Sequence, residues 1–158
     1  MDDRDKRLLT YLEKRIRNYG FTPYFAEREI SVPQQLNTSI QDLIRKSDIV
    51  LVFLSKDTIN SWFVIQEIRY AQQQKKPIVI IKERGVVLPD GLQNVHSIEF
   101  DYQKSEEFTS SFNTWLQSAY LNKVSQTLNQ MKDDNQKMVL GLVAIGLLVS
   151  LVFLASKK

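Results

Sequence analysis

Two unbroken apolar runs, Ile49 to Leu54 (IVLVFL) and Pro77 to Ile81 (PIVII), constrain this chain most. Runs of this kind, without polar alternation, suit strands buried on both faces of a parallel sheet. Parallel strands need crossover connections, and the intervening sequence has helical spacing. Asp2 to Tyr19 carries apolar residues at 8, 9, 12, 16 and 19, and Gly20 stands ready to end that helix. Thr22 to Ala26 predicts a short strand, and a loop with Pro33 and Gln34 follows over Glu29 to Gln35. Leu36, Ile40, Leu43 and Ile44 mark a second helix, ending near Ser47. Asn60 to Gln74 predicts a third helix, Ser97 to Phe100 a last short strand, and a helical pattern resumes at Ser105. The order α-β-α-β-α-β-β-α argues for an α/β domain: an open parallel sheet covered by helices, over residues 1–116.

A third apolar run has a different character. Met138 to Ala155 reads MVLGLVAIGLLVSLVFLA, with no charge and Ser150 as its one polar side chain. As a helix it would extend ~27 Å, close to the hydrocarbon thickness of a bilayer. Lys137 bounds one side, and Lys157 and Lys158 the other. The expectation is a single-pass membrane helix over 138–155 with a tail at 156–158. Nothing at the N-terminus reads as a secretory signal, so the N-terminal domain is expected to be cytoplasmic. Residues 117–137 form a helical stalk between the two. Within it Leu121, Val124, Leu128, Met131 and Asn135 recur in steps of three and four. That is the seam of a coiled coil with one asparagine to fix register. An amphipathic helix packing back on the domain satisfies the same spacing. Gly146 and Ser150 add a small-xxx-small pair that lets membrane helices approach closely. A homo-oligomer is the expectation.

Composition narrows the chemistry. The chain has no cysteine and one histidine, His96, which excludes a disulfide framework, a thiolate nucleophile and a zinc site of the N/S type. His96 precedes the apolar Ile98–Phe100 run and reads as a strand-edge residue rather than a triad base. No metal site is expected. The net charge of +3 is interleaved along the chain, with no basic run carrying aromatics, so nucleic-acid binding is not expected. The glycines at 20, 85, 91, 141 and 146 form neither a Walker loop nor a GxGxxG turn.

The segment Ser47-Asp48-Ile49-Val50-Leu51-Val52-Phe53-Leu54-Ser55 resembles the third strand of TIR (Toll/interleukin-1 receptor) domains, which ends in serine. Asn60-Ser61-Trp62-Phe63-Val64-Ile65-Gln66-Glu67-Ile68-Arg69-Tyr70-Ala71 is similar to the family pattern of serine, any residue, tryptophan, three residues, glutamate. Lys76-Pro77-Ile78-Val79-Ile80-Ile81 matches the fourth strand, and Glu83-Arg84-Gly85-Val86 and Ile98-Glu99-Phe100-Asp101 resemble the remainder of prokaryotic members. The resemblance covers roughly residues 3–116. It departs from the family in three places. Aligned on Glu67, the tryptophan position holds Phe63, with Trp62 one residue earlier. The usual Pro-Gly of the second loop, which gates or assembles, is Pro33-Gln34. The family's first strand has no counterpart ahead of Asp2. In a flavodoxin-like sheet of order 2-1-3-4-5 that strand is central. The sheet is therefore expected to lack it, with the strand encoded upstream, supplied by another chain, or lost.

The resemblance implies a choice between two functions. Some TIR domains cleave NAD, using a glutamate at the position of Glu67. Losing nicotinamide leaves positive charge on the ribose, which a fixed carboxylate stabilises. On that reading Glu67 is catalytic, Ser55 and Ser61 donate hydrogen bonds to substrate, and Trp62 or Phe63 stacks on a base; NAD is a substrate and no cofactor is needed. The other reading is a non-catalytic scaffold that assembles with other TIR domains at a membrane. A nucleoside deoxyribosyltransferase-like enzyme is a more distant third. Each residue also has a plainer reading. Glu67 can be a solvated carboxylate near a helix N-terminus. Trp62 and Phe63 are adjacent on a helix, so at least one is expected in the core. Ser55 can cap the turn after its strand.

Overall fold

The computed structural model describes residues 3–25, 36–133 and 147–152. In chain order these are α1 (Asp3–Asn18), β1 (Phe21–Phe25), α2 (Leu36–Lys46), β2 (Ile49–Leu54), α3 (Trp62–Gln73), β3 (Ile78–Glu83), β4 (His96–Phe100), α4 (Ser105–Asp133) and β5 (Leu147–Val152). The first eight follow the predicted alternation, with boundaries shifted by a few residues. Gly20 ends α1 with φ of 78°, a conformation open to glycine at little cost, and its N–H donates to the Arg17 carbonyl at 2.9 Å.

The strands form one parallel sheet in the order β1-β5-β2-β3-β4. Side chains alternate across it as the two-residue strand period requires. On one face Leu51, Phe53, Val79 and Ile81 pack with Leu12 and Ile16 of α1 and Phe108, Phe112 and Leu116 of α4. On the other, Val50, Val52, Leu54 and Ile80 pack with Ile40 and Ile44 of α2 and Val64, Ile68 and Ala71 of α3. Two helices thus cover each face, which explains why β2 and β3 carry no polar alternation. Both sheet edges have protection against further pairing. β1 carries Pro23, which cannot donate to a neighbour. Beside β4, Arg84 donates to Glu99 at 3.0 Å and Asp101 at 2.8 Å, and Lys82 to Glu99 at 3.3 Å. The Arg84 hydrogen bond, with that of Lys82, holds the Glu99 carboxyl below its ordinary range.

One sequence expectation is corrected inside the sheet. The slot expected to lack a strand is filled by β5, from the far end of the same chain. It lies parallel to β1, with Phe21 opposite Leu147 and Phe25 opposite Leu151. It also lies parallel to β2, with Ile49 opposite Val149 and Val52 opposite Val152. The sheet has the 2-1-3-4-5 arrangement with its central strand last in sequence rather than first. Residues Leu147–Val152, inside the run expected as a membrane helix across 138–155, form this strand. The physical reason is that an uncharged run of leucine and valine suits a strand buried on both faces as well as a membrane helix, and periodicity cannot arbitrate. The rest of the expected span, 134–146 and 153–158, lies outside the described residues. Among the described residues no helix is long and apolar enough to cross a membrane.

Candidate functional site

The sequence between β2 and α3 builds a rigid corner. The Ser55 amide donates to Thr58 Oγ1 at 2.8 Å, the two hydroxyls lie 3.2 Å apart, and the Thr58 amide returns to Ser55 Oγ at 3.3 Å. Ser55 therefore closes the turn, as its plainer reading had it. Ser61 is the N-cap of α3, in an extended conformation with φ −71° and ψ 114°, and its hydroxyl makes no capping bond.

From that corner α3 buries a stripe of Val64, Glu67, Ile68 and Ala71. The spacing is that of an apolar face, and Glu67 occupies a position where an aliphatic side chain would serve packing better. Only 4% of Glu67 is exposed, which rules out the solvated reading. Its Oε2 is buried with no hydrogen-bond partner among the described residues. Burial away from water disfavours the charged form and pushes the carboxyl up to about 7.

Beside Glu67 a cavity of about 380 Å³ opens between α2 and α3. Gln41 comes from α2; Trp62, Gln66, Arg69, Tyr70 and Gln73 join Glu67 from α3. Trp62, Gln66, Arg69 and Gln73 follow helical spacing along one side of α3. The lining combines one indole face, amides that donate and accept, a phenol, a guanidinium and a buried carboxyl. Among the described residues Arg69 makes no ion pair, and its guanidinium lines the cavity.

The structure brings Trp62 and Glu67 to this cavity, but Ser55, Ser61 and Phe63 do not line it. Phe63 instead meets the Trp62 ring edge-on, with centroids 5.7 Å apart. Both aromatics are exposed, at 65% and 55%, which corrects the expectation that one would enter the core. Pro33 and Gln34 lie outside the described residues. Gln41, Gln66, Arg69, Tyr70 and Gln73 went unnoticed in the sequence. Stepping from Trp62 by four, three and four residues would have found those on the Trp62 side of α3; Gln41 needs the packing of α2. A second hollow of about 290 Å³ lies at the N-terminal ends of β2 and β3, against α4. Its charged groups are paired: Lys123 donates to Asp48 at 3.1 Å. Among the described residues no cluster of His, Asp or Glu could hold a metal ion.

A buried acid of this kind leaves a signature in stability. Unfolded, the carboxyl releases its proton near 4.5; folded, it holds the proton to about 7. Stability from the protonated form is complete below the lower value and lost as pH rises through the upper one. The expected loss is about 3 kcal/mol between pH 4 and pH 8. Glu67→Gln removes the titration. Denaturant unfolding across that range should give a flatter profile for the variant and a more stable variant at pH 8. Parallel profiles would show that Glu67 is not a buried acid.

An open parallel sheet, helices on both faces and a buried carboxyl at a cavity between two of them define an α/β protein with a candidate site on the helix after its second strand. The profile of the TIR domain family matches residues 2–116, and the chain belongs to that family. Among curated proteins, none matches.

Proposed function

We propose that this TIR-domain protein cleaves NAD in the cavity between α2 and α3, in signalling or defence, with Glu67 as the essential carboxylate. The observation that carries the reading is the Glu67 Oε2, buried with no hydrogen-bond partner among the described residues in an otherwise apolar stripe, beside a cavity of about 380 Å³. Such a group costs stability, and function is the reason to keep it. As nicotinamide departs, positive charge on the ribose meets a carboxylate in a low-dielectric site, where the attraction is far stronger than in water. Trp62 offers a face for a base, and Arg69 suits the pyrophosphate. Incubating the full chain with NAD at high concentration should release free nicotinamide. No release at any protein density would leave the scaffold.

The scaffold reading has its own support. Leu121 and Leu128 of α4 are 54% and 46% exposed, and Val124 lies between them on the seam. TIR domains commonly associate with other TIR domains, and exposed leucines in heptad spacing suit a helix of a second copy. We also propose that residues 138–155 hold the chain at a membrane. Cross-linking in membranes should give a discrete homo-oligomer that disappears when Leu128 and Met131 become lysine. A monomer at all densities, or an oligomer indifferent to those changes, contradicts the seam.

A further inference from the structure

We propose that the slot between β1 and β2 and a lipid bilayer compete for one segment of this chain, residues Leu147–Val152. The inference rests on the membrane reading of residues 138–155 given above. In the sheet, β5 exchanges backbone hydrogen bonds with β1 on one side and β2 on the other. In a bilayer there is no water to bond a peptide group, and a single spanning segment must satisfy every N–H and C=O within its own helix. Each peptide group has one N–H to give. The segment therefore cannot be the central strand and a membrane helix at once. Its composition suits both: uncharged from Met138 to Ala155, rich in leucine and valine, and flanked by lysines. The described strand is Leu147–Val152, whereas a spanning helix needs nearly the whole run.

The competition reaches the candidate site through α2. That helix packs on β5 and also carries Gln41 into the cavity beside Glu67. When the segment leaves for the bilayer, β1 and β2 lose the neighbour between them, and α2 loses the strand beneath it. The docked chain has an assembled sheet and cavity; the inserted chain has an open slot. Membrane capture is thus a means of dismantling the site, and release from the membrane a means of building it.

The chain has no cysteine, so an introduced pair reports without interference. Tyr24 and Ser150 are partners across β1 and β5, as are Thr22 and Leu148. Neighbouring strands lie about 4.8 Å apart, within reach of a disulfide. Tyr24→Cys with Ser150→Cys in the full chain should form an intrachain disulfide under mild oxidation in buffer, and Thr22→Cys with Leu148→Cys should do the same. The reduced chain is then incorporated into phosphatidylcholine vesicles containing phosphatidylglycerol and floated on a density gradient before oxidation. The cross-link should be lost from the floated fraction, and chain oxidised beforehand should not float until reduced. A floated fraction that still cross-links overturns this inference alone. Failure to float overturns the membrane reading and this inference together. Failure of both pairs to cross-link in buffer shows that the slot does not take this segment. None of these readouts depends on NAD, so failure of the catalytic reading stays distinguishable.

Discussion

A chain ending at Asp133 will not unfold cooperatively in buffer. It retains every residue of the family match, 2–116, but loses β5 from the middle of the sheet. β1 and β2 are each left with an open ladder facing the other across an empty slot. An unpaired buried backbone group costs about 1–3 kcal/mol. The whole stability of a domain of this size is about 5–15 kcal/mol. A few such groups left dry on the two flanks are enough to match that sum. Val149→Pro is the milder form of the same experiment. Val149 stands opposite both Pro23 and Ile49, and proline there removes a donor from the centre of the ladder. Circular dichroism and denaturant titration should give a broad, weak transition for the truncated chain and an intermediate one for the proline variant. A truncated chain that unfolds as sharply as the full one would mean that β5 is dispensable.

Replacing Glu67 by glutamine should lower nicotinamide release by about 10²–10³-fold with the fold intact, the loss typical of removing one electrostatic stabiliser of a transition state. The amide keeps the size of the carboxyl and its place in the stripe with Val64, Ile68 and Ala71. It cannot carry the negative charge that the departing nicotinamide calls for. Because the carboxyl is raised to about 7 by burial, the ionised form prevails only above neutral pH in the free protein. A cationic reaction centre favours ionisation, so bound substrate should draw the value down. A loss confined to KM would point instead to a binding role, and the kcat effect separates the two.

Much of this arrangement is legible in the residues. The runs Ile49–Leu54 and Pro77–Ile81 announced β2 and β3, because a strand covered on both faces has no room for polar alternation. Helical spacing announced α1, α2 and α3, and Gly20 marked a helix end whose positive φ it accepts. What sequence could not supply was long-range pairing. Nothing local in Leu147–Val152 distinguishes a strand for a distant slot from part of a membrane helix, since both want the same uncharged aliphatic run. At the site, Glu67 stood out by its motif, but its burial did not, because the same glutamate could have faced solvent from the start of α3. Trp62 and Phe63 misled in the opposite sense: adjacent aromatics suggested core packing, and both are exposed at the start of the helix. Gln41 reaches the cavity only because α2 packs beside α3, a tertiary fact with no local mark.

The central claim is that the buried carboxyl of Glu67 acts by its charge at the cavity between α2 and α3. Nicotinamide release from saturating and from limiting NAD, followed from pH 5 to pH 9 for the full chain and for Glu67→Gln, tests it most directly. The account predicts a wild-type kcat/KM that climbs with pH through about 7 and then levels, and a variant that is slow and flat throughout. Equal rates and parallel profiles for the two proteins would contradict it.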